Sequence, residues 1–321
     1  MNGPKLIAGR LALLMGMLLA SVSFAQDAEE RITIAGSDKR LTRAEINNVY
    51  GPADWFPGRY GTMPEMVQYG DREKGIWACA LCHLVSGFGH PQSANLAGLS
   101  EEYLYQQMLA FKNWQRIDHS GAMFMFSMPQ DDEEEFRKAS RYYAAIEPDT
   151  NVRVVETAQV PSTYLTPAFM RLVDNPDELQ DIGQRIITLP EDVDLVLARD
   201  PVAGFVSYVP PGSLERGEQI VKEGLGTIIQ PCTTCHGANM EGSVLGPMIA
   251  GQFPDYLVRQ LRAFKWGSRR EVADPGGQME LQSRYLSEED IIAVSAYVGS
   301  LPRVNANRDY PYVAEGTASA D

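Results

Sequence analysis

A mainly α-helical protein, made of two tandem copies of one small domain joined by a β-rich linker, is the fold class that three observations predict. The pentapeptides CALCH (79–83) and CTTCH (232–236) recur 153 residues apart and contain all four cysteines of the chain. The stretch LAGLSEEYLYQQMLAFKNWQR (96–116) aligns without a gap, at that same offset, with IAGQFPDYLVRQLRAFKWGSR (249–269). The segment 151–212 fits neither copy and is built of β-branched and aromatic runs broken by Pro, Asp and Gly. A period so far above solenoid length marks a duplicated domain rather than a repeat array.

In chain order, 1–25 reads as a secretory signal peptide. Lys5 and Arg10 give a positive start, Leu11 to Val22 is apolar, and Ser23-Phe24-Ala25 offers small residues to a signal peptidase. The apolar run falls short of the ~20 residues that span a bilayer, and an uncleaved anchor is the alternative. The expected location is the periplasm. Residues 26–70, with Trp55-Phe56-Pro57 and Tyr60-Gly61, are expected to wrap the first domain as an N-terminal extension.

The first domain, 71–150, opens where Asp71 can cap a short helix running through Trp77 into Cys79; Ser213 can cap its counterpart, Leu214 to Glu223. The middle helix carries Leu104, Met108 and Phe111, matched by Leu257, Leu261 and Phe264, a spacing that gives one apolar face. The last helix of the second domain starts at Ser287-Glu288-Glu289-Asp290, a capping-box pattern, and continues Ile291, Val294, Ser295, Val298. Its partner runs Asp132 to Glu135, then Phe136, Ala139, Ser140, Tyr143. The acidic run 131–135 suits a helix N-terminus. In the linker, VRVVETAQVPSTYL, QRIITLP and GFVSYVPPGS read as short strands, too apolar together for a flexible tether. The second domain spans 213–302, and 303–321 reads as a surface tail.

The net charge is −14, and loss of the two basic residues of the leader would make it −16. So acidic a surface repels nucleic acid and anionic lipid, and suits encounters with basic patches on protein partners. Disulfides would explain neither the two-residue gaps between cysteines nor the histidine after each pair. A zinc site needs four clustered ligands, and each pentapeptide offers three. Covalent haem explains both features. Two thiols one helical turn apart reach its two vinyl groups, and the adjacent imidazole coordinates the iron. Cys79, Cys82, Cys232 and Cys235 are thus the expected attachment points of two covalently bound haem c groups, with His83 and His236 as axial ligands.

Three short helices around such a motif resemble the class I cytochrome c fold, and their duplication resembles the dihaem cytochrome c4-like family. The second half carries CTTCHG (232–237), Gly246-Pro247, Ala250-Gly251-Gln252, Tyr256-Leu257, Gln260-Leu261, Phe264, Leu286-Ser287 and Asp290-Ile291. In the first half Leu84 replaces the glycine after the histidine, and Ala94 stands where the second half has Pro247. In the family that proline carbonyl orients the ligand imidazole, so the resemblance carries over the presence of the first haem but not its exact potential. The linker is similar to that of a dihaem group often labelled c553-like.

The resemblance implies a methionine as the sixth ligand. Met279 precedes Ile291 by 12 residues (291 − 279), and the same count back from Phe136 lands on Phe124, between Met123 and Met125. Met123 is preferred because Gly121-Ala122-Met123, followed by Phe126 and Ser127, looks more like the family's run. Met125 is the alternative, and His119 would make a bis-histidine haem. His90 reads as a surface residue, and Met128, Met240 and Met248 as packing. A haem ligated on both faces passes electrons, whereas an open face binds oxygen species or substrate. The expected function is periplasmic electron transfer between a donor dehydrogenase or membrane complex and an acceptor such as an oxidase. Its partners would be redox proteins with basic docking surfaces. Nucleic acid is excluded, and membrane contact would come through a partner complex or an uncleaved anchor. The competing reading is a dihaem peroxidase or small-anion dehydrogenase with one open haem.

Overall fold

Short capped helices and short strands alternate in the computed structural model, which describes residues 30–118, 125, 133–166, 169–270 and 277–304. The expected leader, His119, Met123 and Met128 lie outside the described residues. The chain begins with a two-residue antiparallel pair, β1 (Arg31–Ile32) and β2 (Leu41–Thr42), then α1 (Arg43–Ile46) and α2 (Glu65–Gln68). A reciprocal Thr42–Glu45 capping box starts α1. Trp55 is buried with Ile34, Ile46 and Ala53, and Ala198 from far along the chain closes this cluster.

The first copy comprises α3 (Ala80–His83), α4 (Glu101–Lys112) and α5 (Glu133–Ala145). Ser100 Oγ accepts the Tyr103 amide at 3.2 Å to start α4. Glu133, Glu134 and Glu135 occupy the first turn of α5, where the macrodipole favours them. No helix spans 71–77, contrary to the sequence expectation. Asp71 and Ile76 exchange backbone hydrogen bonds at 2.8 Å, and Asp71 Oδ1 accepts from the amides of Glu73 and Lys74. Asp71 therefore caps a tight turn. Gly70, at φ +65°, permits it, since a Cβ there would stand 2.2 Å from Ile76 O.

Five strands follow: β3 (Val152–Glu156), β4 (Gln159–Leu165), β5 (Arg171–Asp181), β6 (Ile187–Pro190) and β7 (Phe205–Val209). One sheet has the order β3-β7-β6, with β3 parallel and β6 antiparallel to β7. β4 and β5 make a separate antiparallel pair whose register shifts between Pro161 and Thr163. Sequence patterning does not announce β5, which is acidic and contains Pro176; nine of its eleven residues are exposed, as suits an edge that tolerates proline. The five-residue helix α6 (Val193–Leu197) starts on the Asp192 carboxylate, which accepts from the amides of Asp194 and Leu195.

The second copy comprises α7 (Ser213–Glu223), α8 (Thr233–His236), α9 (Pro254–Lys265), α10 (Gln278–Arg284) and α11 (Glu288–Ser300). Ser213 is not the cap of α7. Gly212, at φ +81°, takes that position, and the Glu156 carboxylate from β3 accepts the Leu214 amide at 2.8 Å. Gly217 lets α7 approach α11, because a Cβ there would lie 2.0 Å from Ala293 O. Ser287 and Asp290 form the expected capping box.

One core gathers Val67, Phe88, Leu99, Leu104 and Tyr143, and takes Met248 from the second copy. The other gathers Ile220, Met240, Phe253, Ile291 and Val298. Arg303, assigned by sequence to a surface tail, is 2% exposed. Its guanidinium donates to Ala250 O, Asn95 O and Ala97 O, at 3.1–3.2 Å, and so ties both copies together. Among the described residues no helix is long and apolar enough to cross a membrane.

Candidate functional site

A cavity of about 640 Å³ lies between the copies, and both pentapeptides line it. Each pentapeptide forms a single helical turn. Cys79 and Cys232 precede the turns with helical φ of −58° and −61°, and their carbonyls accept the amides of His83 and His236 at 3.0 Å. This puts the two thiols of each pair one turn apart, with the histidine next to the second. None of the four cysteines is paired in a disulfide. Burial pushes the Cys79 thiol up to about 12 and the Cys232 thiol up to about 11.

The imidazoles are held from behind. His236 Nδ1 lies 2.8 Å from Pro247 O, and His83 Nδ1 lies 3.0 Å from Ala94 O. A carbonyl only accepts, so Nδ1 carries the proton and Nε2 keeps its lone pair. Burial pushes the His83 pKa down, which keeps the ring neutral. Ala94 thus supplies the carbonyl that a proline supplies in the other copy, and the substitution removes ring rigidity rather than the hydrogen bond. Gly246 has a separate role. A Cβ there would stand 3.0 Å from both Cε1 and Nδ1 of His236. The exit turns match as well: Gly237 has φ 85°, ψ 161°, and Leu84 has φ 61°, ψ 165°.

The apolar stripes of α4 (Leu104, Met108, Phe111) and α9 (Leu257, Leu261, Phe264) both face the cavity. Met279, on α10, and Met125 are half-buried in its wall. Met240 is fully buried in the second core, and Met248 joins the first core as well as the wall. His90 is partly buried rather than open to solvent, and burial pushes its pKa down to about 3. Its Nδ1 sits 3.3 Å from Gln92 Oε1, and it does not line the cavity.

Sequence comparison of the copies showed Tyr103, Gln107 and Arg116 recurring as Tyr256, Gln260 and Arg269 without giving them a role. They meet at the seam, buried and crosswise. Arg116 donates to Gln107 Oε1 at 2.6 Å, Tyr256 Oη at 2.8 Å and Gln260 Oε1 at 3.0 Å. Arg269 donates to Gln260 Oε1 at 2.9 Å, Tyr103 Oη at 3.0 Å and Gln107 Oε1 at 3.0 Å. Each guanidinium also lies over the phenylalanine of its own copy, Phe111 at 4.6 Å and Phe264 at 4.4 Å. Exact repetition of polar residues was the available signal, because buried polar side chains need partners.

The wall fits haem c. It offers paired thiols for the vinyl groups, neutral imidazoles for iron and apolar stripes for the ring. Two guanidinium groups, of Arg116 and Arg269, also line it and would offer positive charge to the carboxylates of a bound haem. Arg116 Nε, Ser140 Oγ and Ser295 Oγ are buried in this wall with no hydrogen-bond partner among the described residues, as polar atoms facing a bound group would be.

Comparison with known proteins agrees with this geometry. The family model described as cytochrome c matches residues 214–302. Cytochrome c4 of Azotobacter vinelandii is 32% identical over 111 residues, covering 32% of this chain and 52% of that protein. Cytochrome c-554(548) of Halomonas halodenitrificans is 33% identical over 76 residues, covering 22% of this chain and 86% of that protein. A solved thiosulfate dehydrogenase from Marichromatium purpuratum, in its as-isolated form, superposes with a TM-score of 0.50 at 25% identity. That match covers 74% of this chain and 39% of the other. The chain spans about half the length of the cytochrome c4 relatives it matches.

Proposed function

Since the chain belongs to the cytochrome c family, we propose that it is a periplasmic dihaem electron carrier working between a donor dehydrogenase or membrane complex and a terminal acceptor. The observation that carries this is one cavity lined by two Cys-x-x-Cys-His turns, each with its imidazole tied back through Nδ1. Haem c, when bound, supplies one-electron exchange between ferrous and ferric iron.

The residues of the chain hold and enclose that group. Cys79 and Cys82 anchor the first haem, and Cys232 and Cys235 the second. His83 and His236 each present Nε2. Met279 supplies a thioether sulfur at the second site. At the first site Met123 is the preferred sulfur ligand and lies outside the described residues, while Met125, the alternative, lies in the wall. Such sulfurs would hold the iron against external ligands when haem is bound. The haem domains are read as 71–150 and 213–302, with 151–212 as the strand-bearing bridge.

Exposed Val244, Leu245 and Leu281 lie beside the second site, and the chain is acidic. Both features suit a partner with an apolar patch rimmed by basic residues. The similarity to a thiosulfate dehydrogenase supports a donor of the dehydrogenase class. It also favours the second reading, in which one iron stays open and does chemistry itself. Haem-stained denaturing gels, mass spectrometry and carbon monoxide difference spectra test both readings. Two retained haems, one lost in each of Cys79→Ala and Cys232→Ala, with no carbon monoxide adduct, are expected. A single haem in the wild type overturns the dihaem reading, and an adduct in the wild type replaces the carrier with the enzyme.

A further inference from the structure

The segment between the two copies turns back onto the first attachment turn. Just after α6, residues 197–201 are pinned by side chains of the N-terminal half. Arg43 Nη1 donates to Leu197 O at 2.8 Å, Trp55 Nε1 to Ala198 O at 2.7 Å, and Ser86 Oγ to Pro201 O at 2.6 Å. Between these pins sits Arg199, at φ +56°, a left-handed conformation that a residue with a side chain keeps only where its surroundings over-determine it. Its Nε donates to Asn47 Oδ1 at 3.2 Å, and its Nη1 donates to the carbonyl of Leu81, inside CALCH.

This arginine is largely withdrawn from water, and among the described residues it forms no ion pair. A half-buried cation with no carboxylate partner is held by the fold against the first haem-attachment turn. The second turn is bonded differently. There the neutral hydroxyl of Ser243 donates to Cys235 O at 2.5 Å. Two sites built from one repeated motif therefore differ in a fixed positive charge.

We propose that Arg199 is a positioning residue that raises the reduction potential of the first haem site through its uncompensated guanidinium, on the premise that CALCH carries haem. A fixed cation disfavours the ferric state, which has one more positive charge than the ferrous state. The effect is strong where water is excluded and the effective dielectric constant is low. Leu81 O orients the guanidinium, and the bonds around residues 197–201 hold it there. The bridge thereby sets an inequality between two sites that duplication alone would leave alike.

Spectropotentiometric titration of the dihaem holoprotein tests this with Arg199→Gln, which keeps a donor for Leu81 O and loses the charge, and Arg199→Lys, which keeps the charge. In Arg199→Gln one midpoint should fall by about tenfold in the reduction equilibrium, which is about 59 mV for a one-electron couple. The other midpoint should hold, and Arg199→Lys should restore most of the shift. If Arg199→Gln accumulates too little holoprotein, Asn47→Ala decides. It releases Nε without deleting the charge and should lower the same midpoint by less. Unmoved midpoints in a variant with both haems attached would reduce Arg199 to a clamp and overturn the proposal. A wild type with a single haem by pyridine haemochrome would overturn the dihaem reading beneath it, a result distinct from two haems with unmoved midpoints.

Discussion

Substitution of Leu84, the residue after the first-site histidine, separates backbone strain from packing. At φ 61°, ψ 165° it occupies a region open almost solely to glycine. That costs a residue with a side chain about 1–3 kcal/mol. Its side chain is 9% exposed, so deleting it forfeits about 1.5–3 kcal/mol of burial. Leu84→Ala loses most of that burial and keeps the strain. Leu84→Gly loses slightly more burial but sheds the strain, and the ordinary penalty of glycine relative to alanine is only about 0.5–1 kcal/mol. The glycine variant should therefore be the more stable by about 1 kcal/mol, the reverse of the usual order. For a chain of this size that is about 1.5–2 °C in Tm. Thermal melts of the holoproteins by circular dichroism, at matched haem content and scan rate, measure it. The second copy gives the mirror experiment. Gly237→Ala would put a Cβ 2.7 Å from Glu241 Oε2 and 3.0 Å from Gly242 O, and should lower Tm. An alanine variant at position 84 that melts at or above the glycine variant would refute the strain argument.

Two further outcomes follow from the same geometry. Burial pushes the Asp290 carboxyl up, but the Ser287 hydroxyl and the Arg216 guanidinium at 2.8 Å outweigh it and hold the group below the usual carboxylate range. Its contribution to stability is present above the unfolded pKa and is lost as pH falls through the lower folded value, so Tm should drop below about pH 4. Asp290→Asn should flatten that acid limb and cost about 1 kcal/mol at neutral pH through the lost cap, as pH-resolved melts would show. At the second site, Gly246→Ala should displace the His236 ring from Pro247 O and shift the midpoint of that haem. The exposed control Leu245→Ala should leave it in place, and equal midpoints in both would remove the steric role of Gly246.

Features set by local sequence were the legible ones. The two pentapeptides, their common offset, the stripes of α4 and α9 and the Ser287–Asp290 box each depend on residues within a few turns of one another. Features set by distant chain were not. Asp71 looks like a helix cap, yet Arg72 to Gly75 offers no apolar face to pack, and a turn wins. The amide that Ser213 might have served is taken from 58 residues away by Glu156. Arg303 looks like the start of a charged tail, but its acceptors are carbonyls of both copies. β5 has the composition of a loop and becomes a strand because β4 pairs with it. At the site, the attachment turns could be read directly. The reach of Arg199 to Leu81 O could not, because 118 residues separate donor and acceptor.

The crossed arginines at the seam bear on how the two halves can vary. Gln107 Oε1 accepts from both Arg116 and Arg269, and Gln260 Oε1 accepts from both as well. Residue i meeting j while the copy of j meets the copy of i is the pattern of an isologous contact between identical subunits. The covalent chain thus carries, within one polypeptide, a contact with the reciprocity of a two-fold homodimer interface. Neither glutamine can change for the benefit of its own half alone, since each loss is felt by arginines on both sides. A change at either glutamine should therefore loosen both halves at once, and a compensating change would have to come from the opposite copy.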